Sequence, residues 1–137
     1  MPRKLKSTDS VPLRDGADAS AHGCLLLVED NDDLRGSTAQ LFRLLGWDVL
    51  TASGMRAAVE LAMEHRPTVI VTEAILPDVR GYNFARTLRG AVEHDITLVA
   101  LTRLSEQSFD ELRAAGFDLV FAKPIDVELV HAQLVRT

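Results

Sequence analysis

Five residues with charged or hydroxyl side chains follow short apolar runs along the chain. They are Glu29, Asp30, Glu73, Thr102 and Lys123. Carboxylate oxygens are hard ligands of the kind that Mg²⁺ prefers. A threonine hydroxyl can donate or accept a hydrogen bond, and a lysine ammonium can contact one oxygen of a carboxylate or phosphoryl group. If the fold brings these residues together, they predict a site for a cation and a phosphoryl group.

The elements that must position these residues alternate between short apolar runs and longer amphipathic stretches. Continuous apolar runs such as CLLLV (24–28) and TVIVT (68–72) are typical of strands covered on both faces. Stretches of helical length between them leave room for parallel pairing, so the carboxyl ends of all strands meet at one edge, where open α/β sheets bind ligands. The pattern predicts an α/β domain of three layers, with strands at 24–28, 47–52, 68–72, 96–102 and 117–122 and helices at 34–45, 54–65, 82–88, 105–115 and 126–135.

Several residues indicate where these helices begin and end. Gly46 and Gly116 follow helical stretches and predict left-handed caps, and Pro67 ends the second helix. Ser105 and Asp126 are predicted to cap the last two helices. The strand at 47–52 is more polar than that at 24–28, which predicts a place near the edge of the sheet. The first helix places four leucines on one apolar stripe: Leu34, Leu41, Leu44 and Leu45.

Length, composition and charge limit the class of protein. A chain of 137 residues with 47% hydrophobic residues is sufficient for one domain, which we place at residues 23–137. Residues 1–22 have few large apolar side chains and are predicted to be a disordered tail. The net charge of -5 argues against broad binding to nucleic acid. One cysteine and four scattered histidines predict neither a disulfide nor a zinc site. With no apolar run long enough for a membrane span and no signal peptide, we expect a cytoplasmic protein.

Four motifs together resemble a known family. VEDNDDLR (28–35), EAILPDVRG (73–81), ALT (100–102) and AKP (122–124) are similar to the phosphoacceptor receiver domain of bacterial two-component response regulators. The resemblance covers about residues 23–137. It implies a doubly wound, flavodoxin-like, five-stranded parallel sheet of order 2-1-3-4-5. It also implies Mg²⁺-dependent transfer of a phosphoryl group from a histidine kinase to an aspartate.

The resemblance also implies a role for each site residue. Glu29 and Asp30 match the acidic metal pair, and the backbone carbonyl of Ile75 matches a further metal ligand. Thr102 matches the switch hydroxyl. Lys123 matches the lysine that contacts the phosphoryl group, and a cis peptide bond to Pro124 is implied. Lys123 is the single lysine after residue 22, where there are ten arginines.

Two positions depart from the family pattern. The acceptor aspartate stands four residues before the loop proline, and counting back from Pro77 gives Glu73. The added methylene moves the carboxylate by about 1.5 Å, and an error of about 1 Å can cost two orders of magnitude in transfer rate. Val120 replaces the aromatic residue expected three positions before Lys123. We therefore expect phosphorylation to be slow or absent.

Several alternatives remain open at this point. Three close carboxylates, those of Glu29, Asp30 and Glu73, could hold Mg²⁺, be neutralised in part by Lys123, or take up a proton. The favoured interpretation is an atypical receiver, not an enzyme, that signals by protein contact. Its expected partners are a histidine kinase or phosphotransfer protein, or an effector at residues 104–136, without direct nucleic-acid or membrane binding, and a homodimer is left open. The alternatives are a conventional receiver phosphorylated on Glu73 or elsewhere, an aspartyl-phosphate phosphohydrolase, and a flavin-binding flavodoxin.

Overall fold

The computed structural model describes residues 21–76, 78–103 and 109–136. Most of the predicted tail, the predicted cap Ser105 and the loop proline Pro77 lie outside these residues. The last two tail residues are described. The backbone N–H groups of Ala21 and His22 donate to the carbonyl of Gly46 at 3.0 and 3.2 Å.

Five parallel strands form the central sheet, in the order β2-β1-β3-β6-β7. This order is the predicted doubly wound topology, and β2 lies at an edge as predicted. A short antiparallel hairpin of β4 and β5 occupies the segment predicted as a loop. The strands are β1 (Cys24–Val28), β2 (Asp48–Ala52), β3 (Val69–Glu73), β4 (Ile75–Leu76), β5 (Val79–Arg80), β6 (Thr97–Thr102) and β7 (Leu119–Ala122).

Helices follow the strands at the predicted places. Gly46 and Gly116 have φ of +103° and +121°, so both predicted left-handed helix ends are confirmed. The Asp126 carboxylate accepts a hydrogen bond from the N–H of Leu129 at 3.0 Å, which confirms that cap. None of the described helices is long and apolar enough to cross a membrane. The helices are α1 (Asp32–Leu44), α2 (Met55–His65), α3 (Gly81–Ala91), α4 (Phe109–Ala115) and α5 (Val127–Arg136).

The sheet separates two apolar layers because alternate side chains of a strand point to opposite faces. Leu26 and Val28 of β1 pack in the layer that contains residues of α2, α3 and α4. Leu25 and Leu27 pack in the layer that contains residues of α1 and α5. All four side chains are at most 1% exposed. Burial on both faces explains why β1 reads as a continuous apolar run.

Helix α1 does not bury its predicted leucine stripe. Its buried residues are Thr38, Ala39 and Phe42, because the Phe42 ring fills the space over the sheet in the layer shared with α5. The side of the helix that carries the stripe is turned toward solvent. The exposed fractions of Leu34, Leu41 and Leu44 are 39%, 48% and 75%, whereas Leu45 is partly buried.

A carboxylate from another part of the chain caps α2. Gly54, at the N-cap position, has no side chain to accept from the free N–H groups. Asp78 accepts instead, from the N–H of Met55 at 3.0 Å and from that of Arg56 at 3.3 Å. These hydrogen bonds, that from Met55 above all, lower the pKa of Asp78. The cap ties the segment after β4 to the start of α2.

Replacing Asp78 by alanine removes this cap. We expect Asp78→Ala to lower the free energy of unfolding by about 1 kcal/mol at neutral pH, as loss of a helix N-cap does. Because the pKa of Asp78 is lowered in the folded state, the stabilisation is present above its ordinary value of 3.8 and is lost as pH falls through the folded value. Urea unfolding of both proteins at neutral and acidic pH measures this. Glu60→Ala, at an exposed position of the same helix, is the control, and equal losses in both variants would contradict the cap.

Candidate functional site

A cleft of about 350 Å³ opens at the carboxyl edge of the central sheet. The ends of β1, β3, β6 and β7 contribute to it, so parallel pairing brings together residues that are far apart in sequence. All six residues singled out from the sequence line this cleft: Glu29, Asp30, Glu73, Ile75, Thr102 and Lys123.

Glu73 and Lys123 form an ion pair inside the cleft. Glu73 is the last residue of β3 and pairs in register with Leu101 of β6. Lys123 directly follows β7, and its N–H donates to the carbonyl of Thr102 at 2.8 Å. The Lys123 Nζ donates to Glu73 Oε1 at 2.6 Å, and the Glu73 residue is only 7% exposed. The ion pair thus spans from β3 to β7 across the end of β6.

The second oxygen of Glu73 has no hydrogen-bond partner. Glu73 Oε2 is fully buried, and the buried Glu29 carboxyl is a neighbour of the Glu73 carboxyl group. Burial raises the pKa of Glu73 from 4.5 to about 7, because a charged carboxylate is poorly solvated there. Glu29 adds to this rise, since it can accept a hydrogen bond from Glu73 only when Glu73 is protonated, and Lys123 opposes it. Two of the three outcomes left open, neutralisation by Lys123 and proton uptake, thus act on the same carboxyl group.

The acidic loop after β1 is held by its own hydrogen bonds. Glu29 Oε2 accepts from the N–H of Asn31 at 3.0 Å, and Asn31 Oδ1 accepts from the N–H of Leu34 at 2.9 Å, which caps α1. Arg35 donates to the carbonyl of Glu29 at 2.9 Å and to Asp32 at 2.7 Å. The sequence reasoning missed Asn31 and Arg35. An asparagine placed directly before a helical stretch was the available signal for the cap.

Asp30 and Thr102 lie at different depths in the cleft. Asp30 is exposed, whereas Thr102 is 1% exposed and is the last residue of β6. The Thr102 hydroxyl donates to the carbonyl of Arg103 at 3.2 Å. The hydroxyl, the Lys123 ammonium and the carboxylates therefore line one cleft, with the hydroxyl on the side of β6.

The sequence of residues 25–135 matches the family of response regulator receiver domains. The match covers most of the chain and includes all six cleft residues that the sequence singled out. The chain belongs to the response regulator receiver family. The predicted resemblance and fold class are therefore both confirmed.

Relatives of this receiver include a regulator of similar length and regulators about twice as long. The polar-differentiation response regulator DivK of Brucella abortus is 30% identical over 106 residues, which are 75% of this chain and 85% of DivK. The probable transcriptional regulatory protein TcrX of Mycobacterium tuberculosis is 30% identical over 111 residues, 80% of this chain. The receiver spans 47% of TcrX and 48% of the transcriptional regulatory protein YxdJ of Bacillus subtilis, about half of their lengths.

Solved structures of other receivers have the same fold. The CheY-like receiver of Methylobacillus flagellatus matches 82% of this chain and 96% of its own with a TM-score of 0.75 at 22% identity. The receiver of the sensor histidine kinase PA1611 from Pseudomonas aeruginosa matches 85% of this chain and 97% of its own, with a TM-score of 0.73 at 28% identity. That structure has a magnesium ion coordinated in its active-site cleft.

Val120 and Phe121 of β7 face opposite sides of the central sheet. Val120 is buried in the layer with α2, α3 and α4, while Phe121 packs in the opposite layer. Neighbouring residues of a strand face opposite sides, so Phe121 cannot replace an aromatic side chain at position 120. The Lys123–Pro124 peptide bond is cis, as the resemblance implies.

The carboxylate oxygens of the cleft are of the kind that bind a hard cation. Within the described part of the chain, no group of three or more His, Cys, Asp and Glu side chains is arranged to hold a metal ion by itself. Mg²⁺ needs less, because it keeps several waters and is held by one or two carboxylates. The unpaired, buried Glu73 Oε2 beside Glu29 offers such oxygen ligands. The donor set therefore fits a hydrated Mg²⁺ ion.

The raised pKa of Glu73 predicts a pH-dependent cost to folding. Between pH 4.5 and about 7, the folded state binds more protons at this residue than the unfolded state, so the free energy of unfolding falls as pH rises through this interval. Glutamine cannot ionise and lacks this cost. From pH 4.5 to 7.5, we expect the stability of Glu73→Gln to rise relative to that of the unmodified protein, by roughly 3 kcal/mol at most.

Urea unfolding in the presence of a chelator, at several pH values, measures this difference. Glu60→Gln, which removes an exposed carboxyl on α2, is the matched control and should show no comparable trend. A difference between Glu73→Gln and the unmodified protein that stays constant with pH would show that Glu73 titrates normally.

Proposed function

We propose that this chain is an atypical receiver domain of a cytoplasmic two-component pathway, in which Glu73 replaces the phosphoacceptor aspartate and signalling proceeds by protein contact. The observation that carries the proposal is the 2.6 Å contact between Lys123 Nζ and Glu73 Oε1. In a conventional receiver, the corresponding lysine contacts an oxygen of the phosphoryl group. We propose that in this chain the carboxylate of Glu73 takes the place of that oxygen.

The position and chemistry of Glu73 both oppose phosphorylation. Its carboxylate extends one methylene further than that of aspartate, about 1.5 Å, and in-line phosphoryl transfer depends on precise positioning. Burial raises its pKa, so this carboxyl takes up a proton more readily than an exposed glutamate, and the protonated form is a weak nucleophile. Oε1 is also engaged by Lys123. Together these features favour a receiver that remains unphosphorylated.

Mg²⁺ is the cation that this site would hold. Glu29, Asp30, Glu73 and the carbonyl of Ile75 are the proposed ligands, with water in the remaining positions. The likeness to the PA1611 receiver, which has magnesium in its cleft, supports the assignment. When bound, the ion would supply positive charge to a phosphoryl group or to the carboxylates themselves. Without the ion, the Lys123 ammonium neutralises part of the negative charge of these carboxylates.

The ion pair can set the surface that partners recognise. Lys123 is joined through its backbone to Thr102 and is followed by Pro124 and α5. A fixed Lys123 would therefore hold the start of α5 in one arrangement relative to the end of β6. We assign residues 104–136, of which 109–136 are described, as the surface for a downstream effector, and a histidine kinase or phosphotransfer protein as the partner at the cleft. No direct contact with nucleic acid is part of this function.

Shortening the acceptor side chain tests the proposal. We expect the unmodified protein to show little labelling by a small acyl phosphate with Mg²⁺, and Glu73→Asp to be labelled on the order of 100-fold faster, because the carboxylate returns to the position that transfer requires. Intact-mass spectrometry over time measures the rate, and peptide mapping locates the adduct.

The matched control is Glu60→Asp, which removes a methylene from an exposed glutamate of α2 and should leave labelling unchanged. Asp30→Asn in the Glu73→Asp background should reduce the labelling, because it removes a proposed metal ligand. Labelling of the unmodified protein at the rate of Glu73→Asp would overturn the proposal. An adduct on Glu73 or on another residue would then identify a conventional, phosphoryl-accepting receiver.

A further inference from the structure

The side chain of Arg35 spans both ends of the acidic loop that follows β1. One nitrogen of its guanidinium donates to the carbonyl of Glu29 at 2.9 Å. Another donates at 2.7 Å to the carboxylate of Asp32, the first residue of α1. The Arg35 side chain is only 21% exposed, so it lies against the loop rather than in solvent. The two residues between these contacts, Asp30 and Asn31, are therefore bracketed by a single side chain.

The two contacts of Arg35 differ in strength. The Asp32 side chain is 86% exposed, and an ion pair with such an exposed partner on the same helix is weak in water. Glu29 is only 5% exposed. A hydrogen bond from a charged donor to a group of this kind is stronger, and leaving the group without a partner is costly. The carbonyl of Glu29 is thus the contact through which Arg35 acts on the loop.

The carbonyl of Glu29 controls the direction in which Asp30 leaves the strand. A peptide unit is planar, so the carbonyl of Glu29 and the N–H of Asp30 turn together. The other polar groups of Glu29 are also held: its N–H donates to the carbonyl of Ala52 at 3.0 Å, and its carboxylate accepts from the N–H of Asn31 at 3.0 Å. The contact with Arg35 fixes the remaining one. Because Asp30 is exposed, its backbone determines where its carboxylate lies.

We propose that Arg35 is a positioning residue, which holds Glu29 and Asp30 in the arrangement that the cation site requires. The inference rests on the proposed Mg²⁺ site and adds to it a residue that stands behind the ligands and does not touch the ion. Removing a group of this kind weakens metal binding by roughly 10- to 100-fold. The positive charge of Arg35 acts in the opposite sense, because it repels a cation. Its position and its charge therefore predict changes of opposite sign.

Replacing Arg35 separates the two effects. We expect Arg35→Gln to bind Mg²⁺ about tenfold more weakly than the unmodified protein, because the loop loses its contact at the Glu29 carbonyl. Arg35→Lys can still donate to this carbonyl but lacks the planar fork that spans the loop, so its affinity should lie between the two. If only the charge mattered, Arg35→Gln would bind most tightly. A titration with Mg²⁺, followed by the backbone amide NMR signals of the cleft, measures each Kd.

Arg43→Gln is the matched control. Arg43 lies on the same helix and also donates to the carbonyl of a strand residue, Val49, at 2.9 Å, but it is in the last turn, away from the cleft. Its replacement removes the same charge and the same kind of contact, and should leave the Kd for Mg²⁺ unchanged. Tighter binding by Arg35→Gln, or equal affinities in Arg35→Gln and Arg43→Gln, would overturn the inference.

Amide hydrogen exchange in the presence of a chelator tests the same contact without the ion. The N–H of Asn31 donates to the Glu29 carboxylate, so its exchange reports whether the loop keeps its arrangement. We expect this exchange to be about tenfold faster in Arg35→Gln and unchanged in Arg43→Gln. If the unmodified protein bound no Mg²⁺, the proposed cation site would fail, and exchange at Asn31 would still decide whether Arg35 holds the loop. Unchanged exchange at Asn31 in Arg35→Gln would overturn the inference.

Discussion

The partly buried ion pair between Glu73 and Lys123 is the interaction around which the site is organised. It joins the ends of two strands that are not neighbours, because β6 lies between them. Removing one partner of a buried pair leaves an uncompensated charge, which is costly, and the remaining group usually changes protonation instead. The raised pKa of Glu73 shows that this residue takes up a proton readily even with Lys123 present. One of its oxygens is held by Lys123 and the other has no partner, so its protonation state responds to everything placed beside it.

The surrounding structure limits how this pair can respond. Glu29 is buried on one side and is fixed by the backbone of Asn31 and, through its own carbonyl, by Arg35. Thr102 is held by the last hydrogen bonds of β6 and β7. Both residues line the same cleft as Glu73. A proton on Glu73, a cation in the cleft or a movement of Lys123 would each change the charge that faces this cleft.

Helix α1 begins beside the site and presents two different kinds of residue to the surface. Its first turn carries Asp32 and Asp33, which favour the positive end of the helix dipole, as acidic residues after a strand often do. Further along, Leu41 and Leu44 remain exposed because the side of the helix that carries Thr38, Ala39 and Phe42 packs against the sheet. A sequence pattern identifies an apolar stripe, but it does not say whether the sheet or another segment covers it.

The sequence alone determined the fold class, the strand order through the family resemblance, the helix ends at Gly46, Gly116 and Asp126, and the set of residues at the sheet edge. These features follow from the local chemistry of single residues and from the spacing of apolar residues along the sequence. Only the tertiary structure decided which oxygen of Glu73 meets Lys123, that Asp78 caps a helix more than twenty residues earlier, and which side of α1 is buried. These depend on distances between segments remote in sequence and on competition for the same space, which periodicity does not encode.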